Sequence, residues 1–313
     1  MPSRSFQPGT LWPGILRQTG HALRCGALRP IETIQATIED GGVRFLVRQV
    51  SSLAHKDQAR RADNASAGGG GVNPFLPYDP DLFVADLSDT HVALLNKFNV
   101  IDHHLLIVTR RFESQDALLD LADFAALLAC MAGFDSLGFY NGGAAAGASQ
   151  RHKHLQVVPL PLAGDGPPLP IAPLLASARI DGLAGTVPGL AFAHAFAPLP
   201  LSAALSAEPP QALARTLLER YRALLAAVGV RAIDVDGEPH HSAPYNLLVT
   251  PLGMLLAPRL AESVEGISVN TLAFAGSFFV RDAAQMRTVE RLGPMAMLRL
   301  AAGPAPVQRA AAH

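Results

Sequence analysis

The sequence predicts a fold that mixes helices with turn-linked strand pairs, on three observations. Two stretches, behind Asp120 and behind Pro209-Pro210, carry apolar residues at helical spacing. Short runs rich in Val, Ile and Leu are joined in pairs by turn residues. The 313 residues are 49% hydrophobic and only 16% charged, against about 25% charged in an ordinary globular chain. That composition excludes a disordered protein, which needs high charge and low hydrophobicity. A balance of 25 Lys+Arg against 26 Asp+Glu, net −1, argues against a nucleic-acid partner. The length suits one large domain or two ordinary ones.

The elements follow in order. Leu11, Ile15 and Leu16 set one face of an opening helix. A strand pair comes next, with VRFLVRQV following the turn Asp40-Gly41-Gly42. Residues 51–73 are polar and hold four consecutive glycines, Gly68 to Gly71, so they read as a flexible loop, either plain linker or functional. Pro74, Pro77 and Pro80 impose extended or turn geometry. LLNKFNVIDHHLLIVTRRFE reads as strand, turn at Ile101-Asp102-His103, and buried strand. Asp120 and Asp123 open a helix as cap and first-turn acid. Its apolar face is Phe124, Leu127, Leu128 and Met131, and it ends near Gly133.

LGFYNGGAAAGASQRHKHLQVVPLPL reads as strand, glycine-rich loop, strand. Six prolines between 159 and 173 mark a connection between two halves. A second helix starts at Pro209-Pro210. Leu213, Leu217, Tyr221, Leu224 and Val228 form its stripe, Leu218 and Leu225 widen it, and Gly229 ends it. YNLLVT and GMLLAP are strands, LAFAGSFFV is helix-like, and the Ala/Pro-rich last dozen residues are expected to fray. FNVIDHHLLIVTRRFE and YNLLVTPLGMLLAPRLAE look faintly alike, as a short internal repeat would.

Two cysteines, Cys25 and Cys130, make no disulfide framework and cannot make a cysteine zinc site. Arg17, His21 and Arg24 interrupt any signal-peptide core, and no run approaches the roughly 20 apolar residues of a membrane span. The expectation is a soluble, cytoplasmic protein with no membrane partner.

The chemistry concentrates in residues 147–158. On a strand from His152 to Val158, His152, His154 and Gln156 share one face, and Lys153, Leu155 and Val157 the other. Three neighbouring polar side chains are costly to bury without partners. Before them, Asn141-Gly142-Gly143 and Gly147-Ala148-Ser149-Gln150 form a loop of small residues whose N–H groups suit an anion. An imidazole beside such a loop suggests attack on phosphorus, with a backbone carbonyl fixing the ring's tautomer. A metal site and a structural polar cluster compete with that reading. His103, His104, His240 or His241 would have to supply a third ligand. The loop favours the nucleophile, and an amide at the third position disfavours the metal.

The sequence resembles the ATP adenylyltransferase family, the diadenosine tetraphosphate phosphorylases of the histidine-triad superfamily. The resemblance rests on NPFLP (73–77), LLNKFNV (94–100), HLLIVTRRFE (104–113), LGFYNGG (137–143), GASQ-x-His-x-His-Leu-Gln (147–156) and GISVNTLAFAGSFFV (266–280). It implies an α+β, histidine-triad-like fold, a mainly antiparallel sheet flanked by helices. Residues 1–165 would be the catalytic region and 166–313 a C-terminal region completing the same site.

The implied activity is reversible phosphorolysis of diadenosine tetraphosphate to ATP and ADP through a covalent adenylyl-histidine. His154 is then the nucleophile, and His152 supports the phosphates or the nucleophile's geometry. Gln156 stands where the superfamily's hydrolases carry a third histidine. Asn141, Gly147, Ala148, Ser149 and Gln150 cradle the polyphosphate, Asn96 and Lys97 line the nucleotide pocket, Lys56 reaches the phosphates from the glycine-rich loop, and Arg281 contacts the distal nucleotide. The partners implied are diadenosine tetraphosphate, ATP, ADP and phosphate. No covalent cofactor and no metal ligand is implied, and a divalent cation such as Mg²⁺ is expected as the polyphosphate's counter-ion. Arg151, Gly253 and Arg281 depart from the family's usual proline, tryptophan and lysine. Another nucleotidylyl transfer, dinucleotide hydrolysis, or a non-catalytic nucleotide sensor are the alternatives on the same fold.

Only three of the 25 basic residues are lysines: Lys56, Lys97 and Lys153. Codon bias explains the scarcity but not these positions. A compact ammonium serves moving phosphates, which favours a role for Lys56. Lys153 falls on the face opposite His154, where packing is the expected role.

Overall fold

Alternating apolar residues in the middle of the chain build one large sheet with two buried faces. The structure, a computed structural model, describes residues 8–50 and 73–304. The strands are β1 (Thr33–Asp40), β2 (Val43–Val50), β3 (Phe83–Asp86), β4 (His91–Leu95), β5 (Leu105–Thr109), β6 (Ser136–Gly142), β7 (His154–Pro159), β8 (Arg179–Asp181), β9 (Ala184–Thr186), β10 (Ala195–Pro198), β11 (Ala232–Val235), β12 (Glu238–His241), β13 (Tyr245–Thr250), β14 (Gly253–Pro258), β15 (Ser263–Val264), β16 (Ile267–Ser268) and β17 (Ser277–Val280). The helices are α1 (Leu11–Cys25), α2 (Leu121–Met131), α3 (Ala172–Leu175), α4 (Leu201–Ala207), α5 (Pro210–Ala227), α6 (Thr271–Phe274), α7 (Ala283–Leu292) and α8 (Pro294–Ala302).

Ten strands form the main sheet in the order β3-β4-β5-β7-β6-β13-β14-β10-β9-β8, each pair antiparallel. A smaller sheet, β1-β2-β17, pairs β17 parallel to β2. This is the α+β class expected. The period-two alternation separates the faces. Tyr140, Leu155, Val157, Leu247 and Leu256 point into one apolar cluster with Phe124 and Leu127 of α2 and Leu217 and Leu224 of α5. Leu137, Phe139, Val158, Leu248 and Leu255 point into a second cluster with Phe45 and Val47 of β2, Phe278 of β17 and Leu298 of α8.

The Asp120–Asp123 capping box starts α2 as expected. Three expectations change, and a fourth lies largely outside the described residues. Leu16 is 45% exposed, because it lies about 100° round the helix from the buried Ile15. LAFAGSFFV is one helical turn followed by β17, because Gly276, at φ +96°, breaks the run. Helices α7 and α8 close the described chain; the expectation for the last dozen residues falls largely outside the described residues. The faint repeat has no structural counterpart, because Phe98-Asn99 sits between strands while Tyr245-Asn246 opens β13. Gly253, at φ +145°, has a packing reason: a Cβ there would lie 2.3 Å from the Ala197 carbonyl oxygen on β10.

Candidate active site

The antiparallel register assigns the histidines to a face. Gln156 pairs with Phe139, whose ring belongs to the cluster around β2 and β17, so Gln156 and His154 project away from α2 and α5. The strand begins at His154, not at His152 as expected. Residues 151–153 run beside 113–115 instead, through Gln115 N–H to the Arg151 carbonyl and Lys153 N–H to the Glu113 carbonyl, both 2.8 Å. His152 and His154 nevertheless meet one neighbour, the Phe75 ring, at centroid distances of 5.6 and 5.5 Å.

His154 is buried. Its Nδ1 lies 2.8 Å from the His152 carbonyl oxygen. A carbonyl only accepts, so Nδ1 carries the hydrogen and Nε2 the lone pair. Burial pushes this imidazole down to about 4, and the carbonyl's pull toward the charged form does not reverse it. The ring is therefore neutral near pH 7.

His152 has both nitrogens committed. Nε2 donates to the carbonyls of Thr109 and Arg111, at 2.9 and 3.0 Å. Nδ1 accepts from the Asn73 amide at 3.0 Å. Burial lowers its pKa, against the pull of those two carbonyls. With its lone pair engaged, His152 is a support for its neighbour and a poor metal ligand.

Gln156 is oriented by a relay that the motif did not reveal. Phe98 N–H donates to Asn96 Oδ1 at 3.4 Å, so Asn96 Nδ2 donates to His104 Nδ1 at 3.1 Å. His104 Nε2–H then donates to Gln156 Oε1 at 3.0 Å. The Gln156 NH₂ is left as the donor end. Asn96 thus joins the site indirectly, through His104.

Gln115, also missed, is 3% exposed. Its Oε1 accepts from His154 N–H at 2.8 Å, and its Nε2 donates to the carbonyls of Asn141 at 2.8 Å and His154 at 3.3 Å. The available signal was a polar amide three residues after Phe112 and two before a buried Ala117, too weak alone.

The glycine-rich loop differs from the expected cradle. Gly147 N–H and Ala148 N–H turn inward, to the carbonyls of Ala144 at 3.0 Å and Gly143 at 3.3 Å. The tight turn at Gly147, φ +93°, aims them there. Ser149 and Gln150 are the loop's remaining candidate donors. Asn141 Oδ1 is occupied by Asn246 Nδ2 at 3.0 Å and Thr271 Oγ1 at 2.6 Å.

Other nominated residues sit farther out. Lys97 is half-exposed, 3.9 Å from Asp79. Arg281 follows β17 in the smaller sheet, its N–H bonded to Gln285. Lys56 lies outside the described residues.

Behind the histidines, Lys153 faces the helices, as parity predicted. It is 2% exposed, 2.6 Å from Asp123 Oδ2 and 3.2 Å from Glu113. His91 Nε2 lies 3.0 Å from Asp123 Oδ1. Burial alone would raise the Asp123 carboxyl. The His91 hydrogen bond and the Lys153 ammonium outweigh it and hold the group below its ordinary range. Burial likewise opposes charge on Lys153, and Asp123 reverses that, raising its pKa.

Comparison with known proteins agrees with this architecture. Residues 1–177 match the family model of the Ap4A phosphorylase N-terminal domain, and residues 188–304 that of the ATP adenylyltransferase C-terminal domain. Diadenosine 5',5'''-P1,P4-tetraphosphate phosphorylase 2 of Saccharomyces cerevisiae is 27% identical over 272 residues, 79% of either chain. Protein APA1 of the same yeast is 29% identical over 145 residues, 44% of this chain and 45% of that one. The crystal structure of yeast Ap4A phosphorylase Apa2 superimposes with a TM-score of 0.75 at 22% identity, covering 96% of each chain. Its complex with Ap4A gives 0.73 at 20% identity, covering 94% of this chain and 98% of that one.

Proposed function

This chain belongs to the Ap4A phosphorylase and ATP adenylyltransferase family, and from that premise we propose that His154 is the nucleophile of a reversible phosphorolysis of diadenosine tetraphosphate. The single observation that carries the reading is the 2.8 Å bond from His154 Nδ1–H to the His152 carbonyl, which puts the lone pair on Nε2 of a neutral ring.

In the first half-reaction, Nε2 attacks an α-phosphorus and the bond to the bridging oxygen breaks. ATP leaves with that bond's electron pair, and the AMP moiety stays on nitrogen. The ring gains positive charge, and the His152 carbonyl accepts a stronger hydrogen bond from Nδ1–H. In the second half-reaction, an oxygen of inorganic phosphate attacks the adenylyl phosphorus, the P–N bond breaks, and ADP leaves. The Gln156 NH₂ and donors of Ser149 and Gln150 stabilise the phosphoryl oxygens in both, where positioning and electrostatics supply most of the catalysis. Lys56 adds an ammonium to the phosphates. Asn141, Lys97 and Arg281 serve substrate binding in the same proposal.

The partners of His152, His154 and Gln156 among the described residues are amides, a hydroxyl, imidazole and backbone, with no carboxylate. That set does not suit a dedicated Mg²⁺ cage, so the cation is assigned to the polyphosphate itself. No helix among the described residues is long and apolar enough to cross a membrane, and two unpaired thiols fit the reducing cytoplasm.

The test is His154→Ala, together with a search for an acid-labile adenylylated intermediate in the unaltered enzyme. Loss of phosphorolysis with a trapped adenylyl group supports the mechanism. A near-normal rate in the variant and no intermediate in the parent would sink it. AMP and ATP formed equally well without phosphate would make the enzyme a hydrolase.

A further inference from the structure

Away from the histidine site, three potential metal ligands converge on one side of α1. His21 and Cys25 are four residues apart on that helix, so they project from one face on successive turns. Asp81 comes from the short 3₁₀ turn Pro80–Leu82 packed beside it. His21 Nε2 lies 2.8 Å from Asp81 Oδ1 and 3.9 Å from Cys25 Sγ. All three ligand atoms fall within 4.8 Å of one another. Zinc bonded to nitrogen, oxygen and sulfur at about 2.0–2.3 Å in a tetrahedron spaces such atoms about 3.3–3.6 Å apart. The His21–Asp81 pair has to open by about half an ångström, and Cys25 and Asp81, no more than 4.8 Å apart, have to approach by up to about 1 Å, movements that rotation of the three side chains supplies.

We propose that His21, Cys25 and Asp81 form a binding site for a thiophilic divalent cation of the zinc class. The ligand positions are set by contacts that do not involve the metal. Helix spacing fixes His21 against Cys25. Gln18 Nε2, one turn earlier on α1, donates to the Asp81 carbonyl at 2.7 Å, and Asp79 Oδ1 accepts from Asp81 N–H at 3.0 Å. The first bond ties the turn to the helix, and the second fixes the turn's own geometry. The exposed His21–Asp81 pair is worth little by itself, so its replacement by coordination costs little. On binding, Cys25 releases its thiol proton to solvent and His21 moves its hydrogen to Nδ1, which frees Nε2 for the metal. A fourth position stays with water. The thiolate selects this class over Mg²⁺ or Ca²⁺, so the site is chemically distinct from any cation that travels with a polyphosphate.

The location gives such a cation a structural consequence. The turn it grips continues from Asn73 and Phe75, which touch His152 and His154. A bound ion would staple α1 to the segment that walls the histidines.

The test is titration of the reduced, chelator-stripped protein with Co²⁺, followed by displacement with Zn²⁺. One equivalent of Co²⁺ should give a thiolate-to-cobalt charge-transfer band with tetrahedral d–d absorption. Cys25→Ser, at an exposed position, should abolish the band, and His21→Ala and Asp81→Asn should weaken binding at least tenfold. His154→Ala should leave the band unchanged. Zn²⁺ should also protect Cys25 from alkylation. Absence of the band, its survival in Cys25→Ser, its loss in His154→Ala, or unprotected alkylation would overturn the site and leave an ordinary surface ion pair beside a thiol.

Discussion

The side-chain amide of Gln115 hydrogen-bonds both backbone groups of His154, accepting from its N–H at 2.8 Å and donating to its carbonyl at 3.3 Å. Gln115 thereby does for the first residue of β7 what a neighbouring strand does for an interior one. The same amide reaches Asn141 at the end of β6, so one side chain ties the ends of both strands together.

Gln115→Leu is expected to lower kcat about 10- to 100-fold with little change in KM, in keeping with the roughly 100-fold that a misplacement of ~1 Å costs. Gln115→Glu keeps an acceptor for His154 N–H and should fall between the two. Single-turnover ATP release at saturating substrate measures it. A variant that loses only thermal stability would make Gln115 a purely structural residue.

Lys153→Met should destabilise the fold by about 3–5 kcal/mol, because Asp123 would be left buried with its main cation gone. Asp123 is held below its ordinary range, so its contribution is present above the unfolded carboxylate value and is lost as pH falls. Lys153 is raised, so its share persists at neutral pH and is lost only as pH climbs past the ordinary amine value. Urea unfolding at several pH values tests both signs. Lys153→Arg also belongs in this series. It removes no charge but puts a larger head into a site that is 2% exposed, so its cost should appear in stability before rate.

The folded His154 titrates at about 4, whereas an unfolded imidazole titrates near about 6.5. Its stability contribution is complete above the higher value and disappears as pH falls toward the lower. The nucleophile stays neutral across that same window. Single-turnover ATP release from diadenosine tetraphosphate should therefore be nearly flat from about pH 7 to about pH 5. An acid limb centred near the ordinary imidazole value would refute the assignment.

Gln156→His should shift product partitioning from ADP toward AMP at subsaturating phosphate. An imidazole can take the proton of an attacking water, which a carboxamide cannot. Chromatographic separation of AMP from ADP reads the ratio directly, and an unchanged ratio counts against Gln156 as the residue that selects phosphate over water.

The sequence and the structure agree best where periodicity or capping decides the outcome. The Asp120–Asp123 box, the paired strands YNLLVT and GMLLAP, and the opposite facing of Lys153 all follow from local pattern. The site was half legible. His154, His152 and Gln156 stood in one motif, and the carbonyl that sets the tautomer was anticipated. His104, which the sequence offers only as a possible third metal ligand, and Gln115, which it does not single out, take their roles from contacts 52 and 39 residues away, which spacing does not encode. The inward N–H groups of Gly147 and Ala148 were missed for the opposite reason: a run of small residues permits an anion cradle and a tight turn equally.

The order of the main sheet has a mechanical consequence. Strands from before and after the proline-rich connection meet at β6 and β13, where Asn141 faces Asn246 across continuous hydrogen bonding. Near the end of the described chain, β17 lies parallel to β2 from its beginning. A break in the sequence pattern at residues 159–173 is therefore not a hinge. The halves cannot swing apart like the jaws of a clamshell without tearing a ladder. Admission and release of a dinucleotide therefore have to leave the β6–β13 ladder closed, and so would a cut in the connection.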